Sequence, residues 1–395
     1  MEILFVHSHI FKFDEKNNFY SDGKLTYSMW KERYLNYFDN IIIAARASKI
    51  GREELNLSSG PRVNHFVLPN LSNIKGRYRN KKRLNNDLER LIKQTDVVVS
   101  RMPSEHAYYA IKIAQKLNKP YVIEVVGDVF SSLWNHGNIF GKILAPVSYI
   151  KYRRVIKRGS YLIYVTKNNL QDRYPYNPKA LVTNISNVDI TLVSENILKS
   201  KIHNLENLTL NDEVKIGLIG SYSSRYKGID TAIKTVKNLN QRGYNCKLIV
   251  LGSGDNKWLI DLAEKLNIRN KITFTGSLPG GEKVFEWLDT IDIYIQPSLT
   301  EGLPRALIEA MSRGLPCVAS SVGGIPELIN SEFLHKPKQE KELTEKIEYL
   351  LKNKDVMLNQ AGRNYKHAKE YTKEVLNARR RDFWSEFIER ELIKK

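Results

Sequence analysis

Two glutamates eight positions apart, Glu301 and Glu309, have the type and spacing to hold an activated sugar at both ends. They lie in the stretch Ser298-Leu-Thr-Glu301-Gly302-Leu303-Pro304-Arg305-Ala-Leu-Ile-Glu309-Ala-Met-Ser-Arg-Gly314-Leu-Pro316. An apolar run, Ile291 to Ile295, precedes it and reads as a buried strand. Pro304 suits a helix start, because its missing N–H would have no partner in the first turn. Gly314 closes the helix at the C′ position, and Pro316 to Ala319 begins the next strand. Glu301 then sits on the loop at the helix mouth, and Glu309 lies about two turns further in. At ~1.5 Å and ~100° per residue the separation is ~12 Å, with both carboxylates on nearly one side. That is the reach from a ribose, across a diphosphate, to a sugar ring. Carboxylates accept hydrogen bonds from paired hydroxyls, and the free N–H groups of a helix mouth favour phosphate. The pattern points to a nucleotide-sugar site. Taken singly, Glu301 also reads as a solvated cap and Glu309 as a surface residue. Yet Glu309 lies between Ile308 and Ala310 in an otherwise apolar helix, where a carboxylate needs a partner.

Open parallel sheets bind ligands beyond the carboxyl ends of their strands. The loop Gly220-Ser221-Tyr222-Ser223-Ser224-Arg225-Tyr226-Lys227-Gly228 has that place after the first strand of the second half. Lys227 offers a point charge and Arg225 a fork of donors for a diphosphate, and an ordinary basic turn is the alternative. Leu251-Gly252-Ser253-Gly254-Asp255 and Thr275-Gly276-Ser277-Leu278 follow the next two strands. In the first half, Ser21-Asp22-Gly23 precedes a helix. Gly23 permits close backbone approach, while Asp22 as an N-cap is the structural reading. Asp128 follows the run Glu124 to Val126, where it either meets a sugar hydroxyl or acceptor, or caps the next helix. His7 and His9, at the end of the first strand, are further cleft candidates, with a structural histidine the plainer reading of each. The chain has no Asp-x-Asp, and its eight histidines show no ligand spacing. The expectation is therefore no cofactor and no metal, with cations and helix termini neutralising a leaving diphosphate.

These residues need elements to hold them. Short β-branched or aromatic runs at Ile3–His7, Asn40–Ala45, Asp96–Ser100, Tyr121–Val126 and Tyr161–Thr166 alternate with periodic stretches at Leu25–Phe38, Lys82–Gln94, Ser104–Leu117 and Gly141–Lys157. The second half repeats this with strands at Lys215–Ile219, Lys247–Leu251, Lys271–Phe274, Ile291–Ile295 and Pro316–Ala319, and helices at Ile229–Gln241, Asn256–Leu266, Glu282–Leu288 and Arg305–Arg313. Such alternation predicts an α/β chain with two doubly wound, Rossmann-like domains. The polar segment from Ser194 to Asn211 reads as linker, which sets domains at 1–195 and 196–370. A terminal helical segment, 371–395, carries Phe383, Trp384, Phe387 and Ile388 to pack on something.

At 395 residues two domains are comfortable. No apolar run reaches the roughly 18–20 residues of a membrane span. Met1 to Val6 passes straight into a strand, so no signal peptide is expected. Cys246 and Cys317, both in strands, read as buried free thiols, and the whole suggests a reducing cytoplasm. The net charge of +19 is uneven: residues 1–195 hold 30 Lys and Arg against 17 Asp and Glu. One basic cluster runs from Lys75 to Arg83 and another from Lys151 to Arg158, each interleaved with aromatic or aliphatic residues. Solvated faces are one reading; docking on anionic lipid, and so a peripheral place on the inner membrane surface, is the sharper one. Nucleic acid is not the expected partner, since no zinc spacing, RNA-binding aromatic motif or helix-turn-helix is present.

The stretch from Ser298 to Pro316 resembles the E-x7-E segment of the retaining family-4 (group 1) nucleotide-sugar glycosyltransferases. The likeness continues through Gly323-Gly324-Ile325-Pro326-Glu327, like the family's Gly-Gly-x-Pro-Glu turn, and covers some thirty contiguous residues. The resemblance implies a GT-B fold, two such domains facing a cleft, with the last helix crossing back onto the first domain. It implies transfer of a hexose-type sugar from a nucleoside diphosphate, with retention of configuration, to a glycan or lipid-linked acceptor in surface polysaccharide synthesis. Glu301 would hold sugar hydroxyls and Glu309 the ribose, with the Gly302 and Leu303 N–H groups facing sugar or phosphate. Lys227 and Gly228 match the family's Lys-Gly. Ser221 departs from the Arg common there, and Arg225 is the candidate to replace that charge. Gly276 and Ser277 stand where members hold the base, Gly23 where a glycine loop approaches the diphosphate, and Asp128 where many have a sugar-facing His. Glu301, Asp128 and Lys227 form the expected catalytic set. A GT-B-shaped epimerase or phosphorylase, or a non-catalytic basic membrane- or nucleic-acid-binding protein, are the competing functions.

Overall fold

Ile3, Leu4, Phe5 and Val6 are completely buried, and this run becomes the centre of the first of two sheets. The computed structural model describes residues 1–393 apart from 24, 52–54, 72–73, 136–138, 192–193 and 210; the side chains of 74, 75 and 77 also lie outside the described set. The first sheet contains β1 (Glu2–Phe13), β2 (Phe19–Ser21), β3 (Asn40–Lys49), β4 (Asn56–Leu57), β5 (Val63–Val67), β6 (Val97–Met102), β7 (Tyr121–Val125), β8 (Tyr161–Tyr164) and β9 (Leu181–Asn184). Its parallel part runs β5-β3-β1-β6-β7-β8-β9. β1 is twice as long as the apolar run suggests, because beyond Val6 it leaves β6, resumes its pairing with β3 from Ile10 to Phe13 after a bulge, and pairs antiparallel with β2 at Lys12 and Phe13. That extension carries His7 and His9.

The second sheet contains β10 (Val214–Ile219), β11 (Cys246–Leu251), β12 (Ile272–Gly276), β13 (Ile293–Gln296), β14 (Cys317–Ser320) and β15 (Leu334–His335), all parallel, in the order β12-β11-β10-β13-β14-β15. Strand order reverses between β10 and β13, and a crevice opens at such a point because the crossovers leave on opposite faces. The Gly220–Gly228 loop leaves β10 there and the Glu301 loop leaves β13. Both cysteines are free and buried in these strands, and burial pushes the Cys246 thiol up to about 12.

One expectation about the connections is revised. The segment read as linker from Ser194 to Asn211 contains a helix, Glu195–Asn207, with the Ser194 hydroxyl accepting from the Asn196 N–H at 3.3 Å. Its buried positions, Lys201 and Leu205, are four apart, but only the tertiary partners show it. The Lys201 ammonium is buried and donates to the carbonyls of Asp289 (2.9 Å) and Ile291 (2.7 Å). Burial pushes its pKa down to about 8. A polar stretch with a buried lysine gives no local sign of packing.

The last helix, Lys373–Ile388, crosses back onto the first unit. Trp384 is fully buried, edge-on to Phe38 at 5.1 Å between ring centres, and Phe387 meets Tyr161 at 4.7 Å. Lys373 pairs with Glu32 at 2.8 Å. A second tie joins the units at the Gly-Gly-x-Pro-Glu turn. Both oxygens of Glu327 accept backbone N–H groups, from Lys167 (2.7 Å), Asn168 (3.0 Å) and Asn169 (2.5 Å), which open the helix Asn169–Arg173. A carboxylate at a helix N-terminus is favourably placed for charge as well as for hydrogen bonds. Among the described residues no helix is long and apolar enough to cross a membrane.

Candidate active site

Glu301 is fixed by the strand that precedes it. The Ser298 hydroxyl donates to its Oε1 at 2.7 Å and the Gln296 amide at 3.1 Å. The Lys227 ammonium donates to the same oxygen at 2.8 Å across the switch point. Lys227 can lie there because its loop is pressed against the end of β13. Gly228 has φ +70°, and a Cβ there would stand 2.0 Å from the Pro297 carbonyl oxygen. Only glycine satisfies both demands.

Gly302 is where the two units touch. A Cβ on it would lie 2.3 Å from the Val126 carbonyl oxygen of the first unit. From behind, the Gly324 N–H donates to the Gly302 carbonyl at 2.7 Å. The loop that carries Glu301 is thus held between the Gly323-Gly324 turn and the first unit's backbone. Beside it opens an interdomain cavity of 290 Å³, lined by Gly127, Asp128 and Asn135 on one side and by Lys227, Glu301 and Gly302 on the other.

Glu309 lies on the helix Arg305–Ser312 and is only 9 % exposed. Arg305 opens the helix four residues before Glu309, a spacing that places the two on one helix flank, and follows Glu301 of the loop by four. Burial lowers the pKa of its guanidinium; Glu309 and Glu301 oppose that effect, and Arg101 of the first unit adds to it. The buried Tyr294 hydroxyl likewise has its pKa raised, first by burial and then by Cys317, Glu309 and Glu301. Both carboxylates therefore act on the same two groups, Arg305 at the start of the helix and Tyr294 on β13. Arg305 and Tyr294 are not among the residues singled out from the sequence; the i, i+4 spacing of Arg305 and Glu309 is the available signal.

A family model described as glycosyl transferases group 1 matches residues 201–374. Protein CapJ of Staphylococcus aureus is 37% identical over 385 residues, spanning 96% of this chain and 94% of CapJ. The chain belongs to the group 1 glycosyltransferases. The putative colanic acid biosynthesis glycosyltransferase WcaL of Escherichia coli is 27% identical over 192 residues, 46% of this chain and 44% of WcaL. The crystal structure of Anabaena HepE in complex with UDP-glucose superposes with a TM-score of 0.67 at 16% identity, covering 98% of this chain and all of HepE. The two facing α/β units with their returning helix are the GT-B fold.

Not every residue expected to act in this group 1 glycosyltransferase is available to do so. Asp128 lines the 290 Å³ cavity, but its oxygens are taken. They accept from the N–H groups of Phe130 (3.2 Å) and Ser131 (3.0 Å), the Ser131 hydroxyl (2.5 Å) and the Tyr174 hydroxyl (2.6 Å), with Arg173 at 2.8 Å. Asp128 caps the helix Val129–Asn135, so the catalytic expectation is corrected to the structural one. Burial alone would raise its pKa; the Ser131 and Tyr174 hydrogen bonds and Arg173 outweigh burial and hold it below the usual 3.8. Its stabilisation is complete above that value and is lost as pH falls through the lowered one. Losing a cap costs about 0.5–2 kcal/mol. Asp128→Ala should therefore lower the melting temperature by roughly 1–8 °C at neutral pH. Calorimetry in strong acid should find the gap from the parent closed, and nucleotide affinity should match the parent's.

Arg225 is also elsewhere. Its guanidinium stacks 4.6 Å above the Trp258 ring, whose N–H donates to the Tyr222 carbonyl, so it braces the loop and does not stand in for the family arginine at Ser221. Gly23 lines a separate 220 Å³ cavity facing Gly280 and Gly281, away from Lys227. The N-cap of the following helix is Thr26, not Asp22. His9 holds the Gly23 loop instead, 3.1 Å from the Ser21 hydroxyl and 3.6 Å from Asp22. His7 is half-buried, its ring parallel to that of His9, and desolvation of the ring pushes its pKa down. Gly276 has φ +87°, and its N–H donates to the Tyr222 hydroxyl at 2.9 Å. Next to it, Ser277 lines a cleft of 1220 Å³ between the units, opposite Arg46, Ser48 and Asn70. Leu303 is buried at the start of the Glu309 helix.

Proposed function

We propose that this protein transfers a hexose-type sugar from a nucleoside-diphosphate sugar to a glycan acceptor in surface polysaccharide synthesis, with retention of configuration. The observation that carries it is the Lys227–Glu301 pair at the switch point, set between Gly302 and the buried Glu309. In this reading the diphosphate lies at the N-terminus of the helix Arg305–Ser312 and beside Lys227. These supply the positive potential that the leaving group needs without a metal or other cofactor. The Gly302 and Leu303 N–H groups and Gly228 face sugar and phosphate. Oε2 of Glu301 accepts no hydrogen bond from the described residues, and it takes a sugar hydroxyl. Glu309 takes the ribose, and the base enters the larger cleft at Gly276 and Ser277.

The polysaccharide context is supported by the likeness to WcaL, and the donor class by the UDP-glucose bound to HepE. The strongly basic first unit supports a lipid-linked acceptor and a place at the cytoplasmic face of the membrane. A thermal-shift screen against UDP, GDP, ADP and dTDP sugars tests the donor assignment. One nucleotide class should raise the melting temperature and be hydrolysed or transferred. Turnover without acceptor to an isomeric sugar, or strict dependence on free phosphate, would reassign the chemistry; no response to any nucleotide sugar would defeat the proposal.

A further inference from the structure

The helix Ile139–Lys157 carries two apolar faces where a surface helix needs one. Its inner face buries Ala145, Tyr152, Val155 and Ile156 in the first unit. On the outer face Ile139 is 73% exposed, Phe140 65%, Ile143 63% and Val147 62%, with Ile150 following. Steps of three and four residues keep these side chains on one stripe. Trp134, at the end of the preceding helix, is exposed as well. Single exposed apolar residues are ordinary, but a contiguous set marks an interaction surface. Beyond Ile150 the same face turns basic, through exposed Arg153, Arg154, Lys157 and Arg158.

The fold also joins the two basic runs that the sequence separates. Lys81 lies 5.8 Å from the centre of the Tyr109 ring, and Lys151 lies 5.5 Å from the same ring. Lys151 is tied to Glu105 and serves here to locate its helix. Exposed Arg79, Lys82 and Tyr78, on the helix Ile74–Gln94, therefore lie on the side of the molecule that bears the Arg153–Arg158 cluster.

We propose that this face docks on an anionic lipid bilayer. The stripe from Ile139 to Ile150 enters the boundary between headgroups and acyl chains, and the basic residues lie on lipid phosphates. An aliphatic stripe beside cations is the composition of an interfacial helix. A nucleic acid would use the cations but has nothing to place on Ile143 or Val147. The docked face adjoins the active site: Ser132 and Asn135 line the cavity of Lys227 and Glu301, with Trp134 between them, and the Asn135 amide donates to the Leu299 carbonyl at 3.2 Å. A lipid-borne glycan could enter that cavity without leaving the bilayer, a step that rests on the lipid-linked reading of the acceptor.

The test is flotation of the full chain with vesicles of phosphatidylcholine alone or mixed with phosphatidylglycerol, with no nucleotide sugar present. The parent should float with the anionic vesicles and stay behind with the neutral ones. Ile143→Glu/Val147→Glu should lose at least tenfold in partitioning. Arg153→Ala/Arg154→Ala should lose roughly 25-fold, about fivefold for each charge. The melting temperature in the absence of ligand should match the parent in every variant, which shows that they fold. Equal flotation of parent and stripe variants would overturn the proposal. So would a lipid-free parent dimer that Ile143→Glu/Val147→Glu returns to monomer, or stripe-dependent binding to an oligonucleotide. Since these assays contain neither donor nor acceptor, their failure is separate from failure of the transferase reading.

Discussion

Replacing Lys227 with alanine is expected to lower transfer by about 10²–10³-fold, mostly in kcat, with little loss of stability. The reason lies in what surrounds Glu301. The lysine donates to Oε1 at 2.8 Å, but so do Ser298 and Gln296, and they remain in the variant. The carboxylate therefore keeps neutral donors and the resting loop stays in place. What disappears is the only charge that the Gly220–Gly228 loop presents at the cavity, since Arg225 is stacked on Trp258. That charge matters most when the diphosphate leaves, so binding of the donor should change less than its turnover. Lys227→Arg restores the charge as a planar fork on a different stem and should recover part of the rate. The measurement is steady-state kinetics with the donor found by the screen, alongside the melting temperature. A Lys227→Ala enzyme with the parent kcat would leave Lys227 as a counterion of Glu301 and nothing more.

Glu309→Ala should have the larger effect, abolishing transfer and weakening nucleotide-sugar binding by about 10²–10⁴-fold. Two hydrogen bonds from ribose hydroxyls to a charged acceptor are worth about 1.5–3 kcal/mol each. Glu309 is buried on the helix whose mouth holds Glu301, and both carboxylates oppose the effect of burial on the Arg305 guanidinium. Truncation also strips that guanidinium of one of two opposing charges while Arg101 remains, so some stability is lost too. Binding of the free nucleoside diphosphate separates the two consequences. A ribose contact predicts equal loss of affinity for nucleotide and nucleotide sugar. Glu301→Ala, by contrast, should keep nucleotide affinity and lose the preference for the sugar. Glu309→Gln preserves volume and one acceptor and should fall between. Unchanged donor turnover in Glu309→Ala would remove the site as assigned.

The second unit was largely legible from its residues. Its central strands β13 and β14 are buried along their whole length, β10 and β11 carry short apolar runs, and the helix Ile229–Gln241 lies where its periodicity places it. In the first unit, β5 (Val-Asn-His-Phe-Val) and β9 (Leu-Val-Thr-Asn) were not read as strands. They are the outer members of the parallel array, short and partly polar, and their neighbours define them more than their composition does. The extension of β1 past Val6 breaks the apolar run with polar residues, and its pairing with the far end of β3 and with β2 defines it more than its composition does. The basic clusters were visible as runs, but their convergence around Tyr109 and the exposed stripe beside them were not. Spacing along a helix shows that a face exists and leaves open whether anything covers it.

The sequence alone determined the helix mouth between Glu301 and Glu309 and the glycine loops at the strand ends, since strand, turn and helix follow from local hydrogen bonding and residue spacing. Tertiary structure alone decided which charges serve that mouth. Lys227 meets Glu301 across seventy-four positions, Val126 meets Gly302 across the cleft, and Glu327 caps a helix of the other unit. Asp128, equally plausible as a catalyst from its position, is consumed by Ser131, Tyr174 and Arg173. A carboxylate's role depends on which donors reach it, and donors remote in the chain are brought within about 3 Å only by tertiary packing, inside a domain for Glu301 and Asp128 and between domains for Glu327.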